Sequence, residues 1–234
     1  ADLDQDNRGE LIVAGEWMPV RIFRYEGSAF KDVTETMGFP LLPGWWNCLT
    51  ISDLDGDGDL DLVAGNEGLN GRFYPWPGAP LRLFAADFDA NGSIDPVLCE
   101  AQNGAYAPAA QRDVLAQQLP MIRKKYPRYH DYALAGIEDI FGQKALGQSL
   151  ILNAAELHTC WWENKNGQWE KHDLPPEAQV SPAQAILILP ASNNGHPGLL
   201  ILGNRSDNEP ETGPLDASCG VYLLNEGQSS GFQF

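Results

Sequence analysis

The stretch SDLDGDGDLDLVAGNEG, residues 52–68, sets Asp53, Asp55, Asp57, Asp59 and Asp61 on alternating positions and runs directly into apolar residues. Carboxylates so crowded repel one another, so a positive charge is needed to make the arrangement stable. The pattern opens the chain as ADLDQDNRGELIVAGEW and returns from residue 86 as ADFDANGSIDPVLCEAQ. Aligned on their first aspartates, the other copies read Asp2, Asp4, Asp6, Arg8, Glu10 and Asp87, Asp89, Asn91, Ser93, Asp95. After the ninth position each continues as LIVAG, LVAG or PVLC, the composition of a short strand. A fourth copy, NNGHPGLLILGN at residues 193–204, keeps the strand and the glycine slot at Gly195. Its ligand positions are Pro190, Ser192, Asn194 and Gly198, so a turn is expected there without an ion.

Calcium suits this spacing, because it is a hard cation taking six to eight oxygens at about 2.3–2.6 Å in a flexible shell. In the second copy Asp53, Asp55 and Asp57 are expected to point inward, Asp59 to offer its backbone carbonyl and Asp61 to close the site. Gly56 and Gly58 fall where the chain must turn through conformations costly for residues with a Cβ. By the same logic the first site uses Asp2, Asp4, Asp6 and Glu10 with the carbonyl of Arg8. The third uses Asp87, Asp89, Asn91 and Asp95 with the carbonyl of Ser93. In the first copy Gln5 and Asn7 stand in the glycine slots, and Asn tolerates left-handed geometry. An EF-hand is excluded, since its twelfth position needs a bidentate Glu and here holds Val13, Ala64 or Leu98. A dockerin-like loop fails too, because a strand follows where a helix should. Magnesium is the poorer match, since it demands rigid octahedral geometry and retained waters.

A formal charge of −17 over 234 residues disfavours nucleic acid or anionic lipid as a partner and favours cations. No run of 18 or more apolar residues occurs, so membrane insertion is not expected. Residue 1 begins no basic-then-apolar leader. The first acidic loop starts at Asp2 with no strand ahead of it, so the chain is expected to be a piece of a longer protein or to have lost a leader. Cys48, Cys99, Cys160 and Cys219 are spread singly and are expected to be buried free thiols.

Three segments, VRIFRYEGSAFKDVT from residue 20, CWWENKNGQWEKHDL from 160 and VYLLNEGQSSGFQF from 221, place turn residues between short strand-like pieces. An acidic loop, a strand and such a hairpin make a four-stranded antiparallel unit of about 50 residues, the period of a propeller blade. The fold expected is an all-β propeller of about four blades over residues 1–234 as a single domain, or part of a larger ring such as a seven-bladed one. The short interval from Asp53 to Asp87 predicts a blade abbreviated in its outer strands. Residues 108–146 break the pattern with helical spacing of Val114, Leu115, Leu119 and Ile122, then of Ile137, Ile140 and Phe141. Two helices divided by Pro127 are expected, with Arg123, Lys124, Lys125 and Arg128 forming a solvated face.

The acidic loop followed by LVAGN resembles the FG-GAP or VCBS repeat, the calcium-loop blade of integrin-α-type β-propellers. VAGEWMPVRIF, GWWN, DLVAGNEGLNGRF, DFDANGSIDPV, RDVLAQQLPMIRKKYP and EPETGPLDASCG follow in an order similar to bacterial proteins in which such repeats accompany an ASPIC/UnbV domain. The resemblance implies calcium as cofactor and an exported or surface protein, and it implies no activity. The chain departs from a complete member by starting inside a blade and by losing its fourth calcium loop.

The function expected is a calcium-binding extracellular, cell-surface or periplasmic scaffold for adhesion or binding. Glu16, Trp17, Asn66, Glu67, Glu100 and Asn204 fall at equivalent strand ends, where they could converge on a polar ligand such as a glycan or a protein, or serve simply as turn formers. The pairs Trp45, Trp46 and Trp161, Trp162 admit sugar stacking, although alternation along a strand sends at least one of each pair into the core. An alternative is a glycan-active lyase or hydrolase. No acid/base pair stands out, no nucleophile or phosphate-loop motif occurs, and His130, His158, His172 and His196 are isolated, so catalysis is not expected. A purely structural segment of a larger surface protein is the third possibility.

Overall fold

The acidic stretches at residues 53–61 and 87–95 are each the turn of an antiparallel hairpin, and that at residues 2–10 leads into the first strand, in the computed structural model, which describes all residues except 103, 192–194, 209–211, 228–231 and 234. The chain is mostly β. It opens with β1 (Leu11–Val13), β2 (Glu16–Pro19), β3 (Arg21–Tyr25), β4 (Phe30–Asp32), β5 (Pro43–Trp45), β6 (Cys48–Ser52) and β7 (Asp61–Gly65). Then come β8 (Leu81–Ala86), β9 (Asp95–Gln102), β10 (Ala105–Pro108), five short helices and β11 (Leu150–Ala154). The chain closes with β12 (Cys160–Lys165), β13 (Gln168–Asp173), β14 (Ala185–Leu189), β15 (Gly198–Leu202), β16 (Val221–Asn225) and β17 (Phe232–Gln233).

Contacts group these elements into two compact units, residues 1–74 with 156–234, and residues 75–155. The first holds the sheets β1-β3-β4, β6-β7-β12-β13 and β14-β15-β16-β17, with the small pair β2-β5; the second holds β10-β9-β8-β11. The sheet of the Asp53 loop is complete, contrary to the expectation of an abbreviated one. Its third and fourth strands arrive after the second unit, with Leu62, Val63 and Ala64 pairing with Trp162, Trp161 and Cys160. An N–H···O bond of 2.8 Å from Gly68 to Leu157 closes the gap where the inserted residues leave and return. The hairpin at 160 is therefore the one expected from sequence, delivered to a sheet begun almost a hundred positions earlier.

Strand β7 explains how the first unit packs. Side chains alternate across a strand, so Leu62 and Ala64 face one core with Leu3, Val20, Ile22, Trp46 and Trp162. Val63 faces a second core with Trp161, Ile186, Leu199 and Leu223. The middle sheet is thus covered on both faces, by β1-β3-β4 and by β14–β17. That arrangement buries Trp161 and Trp162 at once, and Trp45 and Trp46 are buried as well. Packing between sheets therefore replaces the sugar-stacking role for all four.

In the second unit the helices pack on the sheet through Phe84, Val97, Leu115, Leu119, Ile122 and Ile140. Five helices stand where two were expected: α1 (Arg112–Gln118), α2 (Met121–Lys125), α3 (Tyr129–Ala133), α4 (Ile137–Phe141) and α5 (Gln143–Leu146). Proline cannot continue a helix and glycine readily leaves one. Accordingly Pro120 precedes α2, Pro127 follows it, Gly136 precedes α4, and Gly142 at φ 79° separates α4 from α5. Arg123, Lys124 and Arg128 are exposed as expected, while Lys125 Nζ donates to the carbonyls of Asp139 and Ile140. Among the described residues all four cysteines are free; Cys99 and Cys160 are buried, Cys48 is half-buried and Cys219, contrary to expectation, is exposed. No helix among the described residues is long and apolar enough to cross a membrane.

Candidate metal centre

The three acidic loops, residues 2–10, 53–61 and 87–95, share one hydrogen-bond scheme. In each, the first carboxylate accepts two backbone N–H bonds from within the turn. Asp2 takes them from Asp6 and Asn7 (3.1 and 3.0 Å), Asp53 from Gly56 and Gly58 (2.7 and 3.1 Å), and Asp87 from Asn91 and Gly92 (3.0 and 2.8 Å). The fifth side chain accepts from the seventh N–H: Asp6 from Arg8, Asp57 from Asp59 and Asn91 from Ser93. The ninth carboxylate reaches back to the second N–H, Glu10 to Leu3 (2.9 Å), Asp61 to Leu54 (2.8 Å) and Asp95 to Phe88 (3.0 Å).

The ninth residues Glu10, Asp61 and Asp95 are buried, and so are Leu3 and Leu54 at the second position. Each turn is thereby pinned to its sheet by an apolar plug whose own N–H holds the closing carboxylate. This function of Leu3, Leu54 and Phe88 is absent from the sequence reading, although an apolar residue fixed at the second place of an otherwise polar loop was its signal. The left-handed positions fall where expected, at the fourth and sixth residues: Gln5 and Asn7 (φ 58° and 65°), Gly56 and Gly58 (83° and 96°), Ala90 and Gly92 (59° and 89°). Gly195 of the fourth copy has φ 87°, while Ser192 and Asn194 lie outside the described residues.

One oxygen from each of Asp2, Asp4 and Asp6 lies within 4.8 Å of the others, as do those of Asp53, Asp55 and Asp57 and those of Asp87, Asp89 and Asp95. Donors on one calcium ion lie within about 5 Å of one another at its bond lengths, so the all-oxygen donor sets fit. Asp59 turns its carboxylate away, to Gln5 Nε2 at 2.9 Å and the N–H of Asn166 at 2.7 Å, which leaves its carbonyl as its contribution to the loop. Burial pushes the Asp61 carboxyl up to about 7, against N–H bonds from Asn164 and Leu54 that pull it down and with the like charges of Asp55 and Asp57 adding to the rise.

The loops differ in their surroundings. Arg24 on β3 donates from Nε to Glu10 Oε1 at 3.0 Å and from Nη2 to Asp4 Oδ2, within the first loop. Among the described residues no lysine or arginine pairs with a carboxylate of the second or third loop's ligand set. The Asp55 carboxyl is raised above its ordinary value, by burial first and also by the like charges of Asp57 and Glu163.

Of the strand-end residues, Glu16 and Asn204 line one polar cleft of about 480 Å³ with Asn47, Gln184 and Arg205. Arg205 reaches Glu67 Oε2 at 2.9 Å, Asn47 Oδ1 at 3.0 Å and Glu16 Oε1 at 3.5 Å, so Glu67 joins the group from beneath. Burial pushes Glu67 up to about 7 although Arg205 pulls it down. Asn66 is fully buried and serves as a turn former, accepting from Trp45 and Glu67 N–H and donating to the Glu156 carbonyl. Asn204 likewise bonds Ser218 through both amide atoms. Trp17 sits at a bulge with φ 64°, its ring edge-on to Trp45 at 5.0 Å. Glu100 belongs to the second unit, on β9 opposite Ala107.

Two histidines are less isolated than their sequence contexts imply. His158 Nδ1 lies 2.5 Å from Glu156 Oε1, and Lys171 Nζ lies 2.7 Å from Glu156 Oε2 and also pairs with Asp173. His172 meets Glu163 at 3.0 Å, with Lys165 on the same carboxylate at 2.9 Å. The hairpin β12–β13 brings these groups together within residues 156–173, its cross-strand register setting His172 and Lys171 beside acids that are not their chain neighbours.

Fold and loops together define a mostly β protein in which an acidic turn, with carboxylates clustered closely enough to hold a metal ion, precedes a strand three times. Residues 2–64 match the family model of the FG-GAP-like repeat, a span holding the first two loops and the strands that follow them. No curated protein and no solved structure matches the chain.

Proposed function

We propose that this chain is a calcium-stabilised binding scaffold of the β-propeller type that works at the cell surface, in the periplasm or outside the cell. The observation that carries it is the recurrence of one loop geometry, with three clustered carboxylate oxygens each time, across three separate turns. Face-to-face stacking of the three sheets of the first unit through two apolar cores supports blades. The FG-GAP-like match supports the repeat class, and the motif order beyond residue 64 supports kinship with ASPIC/UnbV-associated repeat proteins. Extracellular modules bind calcium at roughly 10⁻⁴–10⁻³ M, the range of the ion outside cells. Ligand binding belongs to the cleft of Glu16, Asn204 and Arg205, at the ends of the hairpins opposite the acidic loops, and a glycan or a polar protein surface suits its amides and carboxylates. The test is thermal unfolding of the chain in calcium and in chelator, followed by glycan-array binding of the calcium-loaded form. A clearly higher midpoint in calcium is expected; equal midpoints contradict the calcium scaffold, and an array without any hit removes the glycan.

One observation favours a second reading, a glycan-active lyase or hydrolase: Glu67, raised to about 7, approaches Arg205 together with Glu16. Turnover of polysaccharides that disappears in Glu67→Gln supports it; equal turnover in that variant, or none in either, removes it.

A further inference from the structure

The register of the sheets gives the first two copies an equivalent residue on the third strand, next to the partner of the residue that follows the acidic turn. Leu11 and Leu62 both follow the ninth loop residue, and they pair with Phe23 and Trp162. The next residues, Arg24 and Glu163, are therefore equivalent, and in the fourth copy Leu199 pairs with Leu223, which makes Leu224 their counterpart. Arg24 bonds Asp4, the third residue of its turn, while Glu163, at the equivalent register position, is bonded to Lys165 and His172. The chemistry at this place follows the loop. A guanidinium sits on the first loop, a carboxylate on the second, and an alkyl chain where the fourth loop has no acids.

A guanidinium has five donors in a planar fork and stays charged at any physiological pH. Through Glu10 and Asp4, Arg24 engages two of the four carboxylates the first loop would offer to an ion. It neutralises them and leaves a fixed positive charge where a divalent cation would have to sit beside it. The second loop has the opposite balance, because the residue at that register position is an acid, Glu163, whose carboxylate is held by Lys165 and His172 and brings no positive charge onto the turn.

We propose that Arg24 is the resident cation of the first loop, so that residues 2–10 fold without calcium while residues 53–61 and 87–95 take the ion, with the residue at the position of Arg24 and Glu163 deciding between the first two loops. The proposal rests on the calcium reading of the other two loops. Calorimetric titration of the full chain with calcium chloride tests it, with the folded state of each variant checked by circular dichroism. The wild type is expected to bind two ions, Arg24→Lys two and Arg24→Gln three. Three ions in the wild type, or an unchanged count in folded Arg24→Gln, overturns the proposal. Should Arg24→Gln not fold, the reciprocal Glu163→Arg decides: one ion fewer supports the proposal and the wild-type count overturns it. A wild type binding none defeats the calcium reading itself. In that event an ion gained by Arg24→Gln still supports the role of Arg24, and none gained overturns it.

Discussion

Ala90 occupies the fourth loop position with φ 59°, where the second loop places Gly56 at φ 83°. An L-residue with a Cβ pays about 1–2 kcal/mol in this region, part of which glycine returns through its freer unfolded chain. Ala90→Gly is therefore expected to stabilise the chain by roughly 0.5–1 kcal/mol in urea unfolding, and Gly58→Ala to destabilise it by about 1 kcal/mol. Glu156 allows a pH prediction. Burial works against its charged form, yet His158 and Lys171 outweigh burial and hold it at about 2, below the ordinary 4.5. A depressed carboxylate contributes stability above its unfolded value that fades as pH falls towards the folded one. Urea midpoints should drop between pH 4.5 and 2 in the wild type and drop less in Glu156→Gln. At this scale the acidic ligands were legible because they recur in one register. Ala90 was not, since nothing about an alanine announces a left-handed turn.

Among the elements, the second loop and β7 hold the first unit together from the inside. Leu54 plugs its turn with no exposure and belongs to the same core as Val63 and Trp161. Leu54→Ala should cost about 2–5 kcal/mol and weaken calcium binding at residues 53–61 in the same titration, because the cavity frees the turn to shift and with it the backbone N–H that holds Asp61. Strand composition and the hairpin at residue 160 were readable, whereas their partnership was not. Sequence spacing suggested a truncated sheet because pairing between β7 and β12 spans the inserted unit, and no local period encodes so distant a contact. The bond between Gly68 and Leu157 suggests that the insertion is separable. With residues 75–155 replaced by a short Gly/Ser linker, the remaining chain is expected to keep its near-ultraviolet dichroism and a calcium-dependent melting midpoint, measured in one thermal scan. The helices escaped a two-helix description for a simpler reason: prolines and glycines cut a continuous apolar period into turns of four to seven residues.

For the whole molecule, a net charge of −17 opposes compaction, and on the proposed function divalent ions gathered in folded turns would relieve part of it. An ion bound only by the folded state stabilises it by about 2.7 kcal/mol per site at a hundred times its dissociation constant. The repeat class and the clustered carboxylates of its turns could be read from residues because both are local. The ligand cleft could not be read in full, since Arg205, which joins Glu16 to Glu67, lies outside the repeated positions. The most direct measurement of the central claim is the anomalous difference density of crystals grown in millimolar calcium. The account predicts peaks inside the turns of residues 53–61 and 87–95, ringed by the oxygens of Asp53, Asp55, Asp57 and of Asp87, Asp89, Asn91; well-ordered turns with no peak in either would contradict it.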